Sequence, residues 1–115
     1  MFEKISIGID IVTIRRFEKM KINENKEFYK KIFSDSEINY CINKKNCYES
    51  FAGKFAIKEA VIKSINQNIP HNEIITDHLN NIPIVKLLNN HDYEFLVSIS
   101  HEEHLAVAVV ISFMK

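Results

Sequence analysis

Residues 51–65 read Phe-Ala-Gly-Lys-Phe-Ala-Ile-Lys-Glu-Ala-Val-Ile-Lys-Ser-Ile, and this stretch decides the fold. At about 100° per residue, Phe51, Phe55, Ile62 and Ile65 line one stripe of a helix. Ala52, Ala56 and Ala60 form a second, small-residue face, and Ile57 and Val61 cover much of the remainder. A helix this apolar packs on several sides at once. Three charges contradict that setting. Lys58 falls inside the Phe/Ile stripe, Glu59 at the seam with the alanine face, and Lys63 one turn beyond Glu59. A buried charge is costly unless it is paired, bound to metal or turned to a ligand. The same helix therefore carries both the core and the first candidates for chemistry.

Outward toward the N-terminus, residues 3–11 alternate. Ile5, Ile7, Ile9 and Ile11 share one face, and Ser6, Gly8 and Asp10 the other. This is a half-buried strand with a small second face, and its glycine marks a close approach. A short helix is expected over 12–20, with Arg15, Arg16 and Lys19 on a basic side. Another is expected over 26–32. Ser34 opens a third, with Glu37 at capping-box spacing. The long helix itself extends over about 48–65.

Outward toward the C-terminus the pattern turns to strands. Short ones are expected over 73–76 and 82–88, the second at an edge because of Pro83. Asn89–Asp92 is a turn. Two alternating strands, around Phe95–Ile99 and Leu105–Phe113, join across Ser100–His104. Their small faces, Ser98/Ser100 and Ala106/Ala108, are expected to let the long helix pack closely. The class is α+β: an antiparallel or mixed sheet packed on a long central helix, as one domain over residues 1–115.

Fifteen Lys plus Arg balance fifteen Asp plus Glu in 115 residues, which argues against nucleic-acid binding through a broad basic surface. Cys41 and Cys47 lack the partner set of a metal knuckle, so a reduced, cytoplasmic chain is expected. No basic-then-apolar leader and no run of about 18 apolar residues is present, so neither a signal peptide nor a membrane partner is expected.

Each candidate for chemistry also has a plain structural reading. Asp10 suits an N-cap for the helix after it. Glu59 and Lys63, four apart, suit a helix ion pair, and Lys58 could snorkel to an edge. His101-Glu-Glu-His104 is not a zinc-protease motif, because its histidines are three apart and sit in a hairpin turn. His101, at the end of a strand behind small serines, is kept as a candidate; His104 is not. Taken together, two carboxylates with lysines beside them suit Mg²⁺ and a polyphosphate, since Mg²⁺ prefers oxygen ligands and keeps phosphate oxygens or waters.

Ile7-Gly-Ile-Asp-Ile-Val12, Phe51-Ala-Gly-Lys-Phe-Ala-Ile-Lys-Glu-Ala60 and Val97-Ser-Ile-Ser-His101 occur in an order and spacing that resemble the holo-(acyl-carrier-protein) synthases. These are the short, stand-alone branch of the 4′-phosphopantetheinyl transferases, and the resemblance covers essentially the whole chain. It implies transfer of the phosphopantetheine arm of coenzyme A to a serine of an acyl carrier protein, with release of adenosine 3′,5′-bisphosphate. It also implies Mg²⁺ and a homotrimer with active sites at subunit interfaces. Residue by residue, it places Asp10 and Glu59 on the metal-binding acids and Lys63 near the pyrophosphate. Lys54, Lys58, Lys63 and His101 fall at the coenzyme A site, and Arg16 and Met20 at the dock for the carrier protein. Glu59 is the first candidate for the base that takes the serine proton, and Glu102 the second. The chain departs from the family in three places. Asn66–Pro70 replaces a Gly-rich turn, Asn80-Asn81 replaces a Gly-containing turn, and Lys54 stands where an Arg is frequent. The lost glycines motivate an alternative: a non-catalytic module of the same fold that binds coenzyme A or a carrier protein.

Overall fold

Alternation at the N-terminus produces β1 (Ile5–Thr13), followed by α1 (Arg15–Glu18), α2 (Lys26–Ile32), α3 (Asp35–Ile42) and α4 (Cys47–Ile65). Then come β2 (Ile74–Leu79), β3 (Ile82–Leu87), β4 (Tyr93–Glu102) and β5 (Leu105–Met114), with 3-10 turns at Ile22–Glu24 and His71–Glu73. The structure, a computed structural model, describes residues 3–115. The strands form an antiparallel sheet of order β1-β5-β4 and a separate β2-β3 hairpin.

The register sets the helix-facing side. Gly8 lies opposite Val110 and Val97, Asp10 opposite Ala108 and Ile99, and Val12 opposite Ala106 and His101. α4 lies on this side, and β1 comes so close at Gly8 that a methyl group there would sit 2.0 Å from the Ala60 carbonyl oxygen. Ala106 and Ala108 are fully buried, so the small face expected of β5 does receive the helix.

The faces of the other two strands are reversed from expectation. β1 buries its small side, Gly8 and Val12, whereas Ile5, Ile7, Ile9 and Ile11 are 45–65% exposed on the outer face. The physical reason is the Gly8–Ala60 approach: a helix this close to the sheet leaves room for glycine but not for isoleucine. On β4, Val97 and Ile99 turn toward α4, and Ser98 and Ser100 face out. β1 also runs further than expected, because Val12 and Thr13 pair with Ala106 and Leu105 and the Ile14 amide donates to the His104 carbonyl at 2.8 Å. The helix expected over 12–20 thus shrinks to one turn, and its N-cap is Ile14 rather than Asp10.

α2 matches its expected span. α3 is capped by Ser34, with both hydrogen bonds of the capping box present. Phe17, Tyr29, Phe33, Phe51 and Phe55 form a buried aromatic cluster that fastens α1 and α2 to α4. Left-handed backbone falls at Asn66 (φ 53°), Asn80 (52°), Asn81 (66°) and Glu103 (47°). The paired asparagines make the two-residue turn between β2 and β3, a conformation in which Asn is well tolerated. Gly8 and Gly53 do not have positive φ; they are needed for close approach instead.

Candidate active site

The Gly8–Ala60 crossing positions the first group of side chains. Asp10 lies one strand repeat beyond Gly8, while Glu59 precedes Ala60 on α4 and Lys63 follows it by one turn. Lys63 Nζ donates to Asp10 Oδ1 and to the Ile9 carbonyl, both at 3.0 Å. Glu59 turns the other way, with Oε2 3.5 Å from His71 Nε2. The helix ion pair offered by the spacing of Glu59 and Lys63 is therefore replaced by two tertiary contacts. Asp10 is mostly buried, whereas Lys63 is half-exposed, so its ammonium can still turn to an anion. Among the described residues no cluster of three or more His, Cys, Asp or Glu could hold a metal ion alone. The donor chemistry of Asp10 and Glu59 nevertheless fits Mg²⁺, which takes one or two carboxylates and completes its shell with phosphate oxygens and waters.

A second group lines a pocket of about 130 Å³ between α4, β3 and β4, where Tyr40, Lys54, His78, Ile99 and His101 converge. Lys54 is buried, and its ammonium donates to Thr76 Oγ1 at 3.0 Å and lies 4.6 Å from the Tyr40 ring centroid. Burial pushes the Lys54 pKa below the usual lysine value. Tyr40 and His78 stack with centroids 4.9 Å apart, and His78 Nδ1 is buried without a partner. Burial, and then the nearby Lys54 charge, lower the His78 pKa, which keeps its ring neutral. His101 closes the pocket: Nδ1 is 3.8 Å from Glu49 Oε1, and a methyl group on Gly53 would meet Nε2 at 3.1 Å. An aromatic wall beside an ammonium suits a phosphorylated ring system. Sequence reasoning missed Tyr40 and His78, because a lone aromatic and a lone histidine in short elements carry no pattern.

Lys58 does not belong to either group, and its assignment to coenzyme A is corrected. It is fully buried, and its ammonium donates to the Ile32 carbonyl (2.7 Å), Glu37 Oε1 (2.7 Å) and the His71 carbonyl (3.0 Å). Three acceptors use all three N–H donors and leave none for a phosphate. Glu37 is satisfied in turn by the Ser34 and Thr76 amides and the Thr76 hydroxyl. The capping-box glutamate of α3 is thus also the counter-charge of Lys58 on α4.

Arg16 is exposed, with its guanidinium 4.9 Å from the Phe55 ring centroid, and Met20 lies half-buried just past α1. An open depression lined by Thr13, Arg15, Arg16, Glu18, Lys19 and His104 gives this corner a net basic surface, three cations against one carboxylate. Glu102 ends β4, fully in solvent and opposite Leu105, with no hydrogen bond to His101. No helix among the described residues is long and apolar enough to cross a membrane.

The model of the 4′-phosphopantetheinyl transferase superfamily matches residues 6–110. The holo-(acyl-carrier-protein) synthase of Mycoplasma capricolum is 39% identical over 108 residues, covering 92% of each chain. That of Halothermothrix orenii is 34% identical over 118 residues, covering 91% of this chain and 94% of its own. A crystal structure of the Helicobacter pylori holo-(acyl-carrier-protein) synthase in complex with coenzyme A superposes with a TM-score of 0.78 at 34% identity, covering 92% of this chain and 98% of that one. The Bacillus anthracis synthase in complex with CoA (3′,5′-ADP) superposes with a TM-score of 0.82 at 29% identity, covering 96% of both.

Proposed function

The chain belongs to the 4′-phosphopantetheinyl transferase superfamily, and from that premise we propose that it transfers the 4′-phosphopantetheine arm of coenzyme A to a serine of an apo acyl carrier protein. The observation that carries the reading is at the Gly8–Ala60 crossing: Asp10 pairs with Lys63, and Glu59, next to Ala60 on α4, holds its carboxylate on the His71 side. The serine oxygen forms a bond to the β-phosphorus of the coenzyme A pyrophosphate. The bond from that phosphorus to the bridging oxygen breaks, and adenosine 3′,5′-bisphosphate leaves with the electron pair. Such a displacement needs charge neutralisation and alignment more than covalent help.

Lys63 supplies positive charge toward the leaving bisphosphate while Asp10 holds its stem in place. Glu59, directly or through one water, accepts the serine proton. Asp10 and Glu59 would hold Mg²⁺, which when bound supplies charge neutralisation across the pyrophosphate oxygens. The Lys54/His101 pocket takes the nucleotide end. The basic corner at Arg16 and Met20 takes the acidic carrier, where complementary charge raises the encounter rate.

Mass spectrometry of an apo carrier protein incubated with the chain, coenzyme A and Mg²⁺ tests this reading. Addition of one phosphopantetheine mass is the expected result, and an unmodified carrier overturns it. In the same assay Arg16→Ala should raise the KM for carrier several-fold with kcat little changed.

Two observations support a homotrimer with active sites between copies. On α4, Gly53, Lys54 and Ile57 line the nucleotide pocket, whereas Glu59 follows Lys54 by five residues, about 140° around the helix. The two halves therefore face different directions on one copy, and a second copy would bring complementary halves together. The exposed isoleucines of β1, with Leu96 of β4, make an outer apolar face larger than scattered surface residues. Light scattering on the eluting protein should give three times the chain mass; a monomer that transfers at full rate removes the interface.

A further inference from the structure

His71 occupies a place that the transfer reaction, as described, does not use. Its Nε2 is buried, has no hydrogen-bond partner, and lies 3.5 Å from Glu59 Oε2. Three restraints fix the ring. It stacks on the buried Phe55 with centroids 5.2 Å apart and planes 22° apart. Its carbonyl accepts from Lys58 Nζ at 3.0 Å. Pro70 before it opens the 3-10 turn, with the Pro70 carbonyl accepting from the Glu73 amide at 2.9 Å. The ring is thus held from the backbone side and from its face, and its buried Nε2 is turned to the carboxylate. The Glu59 carboxylate accepts no hydrogen bond among the described residues, and its side chain is a third exposed.

We infer that His71 is a positioning residue for Glu59: it donates from Nε2 to Oε2 and leaves Oε1 as the free acceptor. The inference rests on the reading of Glu59 as metal-binding acid and proton acceptor. A neutral ring with its hydrogen on Nε2 suffices, because an ionised carboxylate only accepts. The separation of 3.5 Å is closed by a small rotation of the Glu59 side chain, as happens when a loosely aligned pair tightens around its ligand. Partners of this kind, one bond removed from the metal, are worth about 10–100-fold in metal affinity or activity.

The decisive experiment compares His71→Phe and His71→Gln. Phenylalanine keeps the stack on Phe55 and removes the nitrogen; glutamine returns an N–H donor near the position of Nε2. Mn²⁺ serves as the probe, its affinity read from the free-ion electron paramagnetic resonance signal with coenzyme A present, alongside kcat and the KM for carrier. His71→Phe should bind Mn²⁺ about tenfold more weakly and lose kcat, with its melting temperature and carrier KM near wild type. His71→Gln should regain most of both losses. Wild-type Mn²⁺ affinity in a folded His71→Phe overturns the inference, as does a folded His71→Gln that is as impaired as His71→Phe. Glu59→Gln in the same titration separates the two levels. If it too binds Mn²⁺ as wild type does, the metal role of Glu59 falls. If it loses the metal while His71→Phe keeps it, only the role of His71 falls.

Discussion

Glu59→Gln and Asp10→Asn are each expected to lower the rate of phosphopantetheine transfer by about two to three orders of magnitude, the usual result of removing one group that stabilises transition-state charge. Both should leave the fold intact. Glu59 is a third exposed, and its carboxylate lies 3.5 Å from the His71 ring nitrogen. Asp10 forms one ion pair with a half-exposed lysine, and such pairs contribute at most about 1 kcal/mol. Stability by urea unfolding should therefore change by less than about 1 kcal/mol, while single-turnover transfer collapses. The separation matters more than either number. Near-wild-type turnover in either variant would remove that acid from the site. A large stability loss would instead mean that the carboxylate supports the β1–α4 crossing.

Lys58→Met should do the reverse. Removing one partner of a buried ion pair strands the other charge, at a loss of about 3–5 kcal/mol. Here the stranded group is Glu37, with its side chain 1% exposed. The variant also frees the Ile32 and His71 carbonyls that the ammonium satisfies. Lys58→Met/Glu37→Gln should recover part of the loss, since the amide carries no charge and its single oxygen still accepts on one side, from Ser34 or from Thr76. The pH dependence gives an independent check. Burial pushes Glu37 up, but the adjacent Lys58 ammonium and the Thr76 and Ser34 donors outweigh it and hold the group below its ordinary 4.5. A carboxylate with a depressed folded value stabilises above its unfolded pKa, and that contribution disappears as pH falls through the folded value. Wild type should thus lose this stability progressively as pH falls from about 4.5 through the lower folded value, whereas Lys58→Met should begin to gain stability from protonating Glu37 at higher pH. A Lys58→Met protein within about 1 kcal/mol of wild type would show the ammonium to be structurally dispensable.

The contrast between Lys58 and Glu59 shows what the chain made legible. Helical periodicity located α4, and apolarity around it marked its charges as abnormal. The capping box at Ser34 and Glu37 was readable because both partners are three residues apart. That Glu37 also neutralises Lys58 was not readable, because 21 residues separate the pair and no local pattern spans them. The isoleucines of β1 misled for a related reason. Alternation tells which residues share a face but not which face is covered. Asp10 and Gly8 carried the better signal: a glycine within a strand, two residues from a carboxylate, marks where backbone must touch backbone. The pocket between α4, β3 and β4 was half visible, through Lys54 and His101. Tyr40 and His78 entered it only by tertiary placement.

The left-handed asparagine at the end of α4 has a consequence for binding. Asn66 caps α4 with left-handed backbone, and Ile69-Pro70 follow it into the turn that delivers His71. An asparagine samples far fewer conformations than glycine in the unfolded chain, and proline fewer still, a difference of about 0.4–1 kcal/mol per site. The joint after α4 is therefore already stiff before any ligand arrives. Less chain freedom remains to be lost if a ligand orders this turn, so a turn poor in glycine becomes a form of preorganisation.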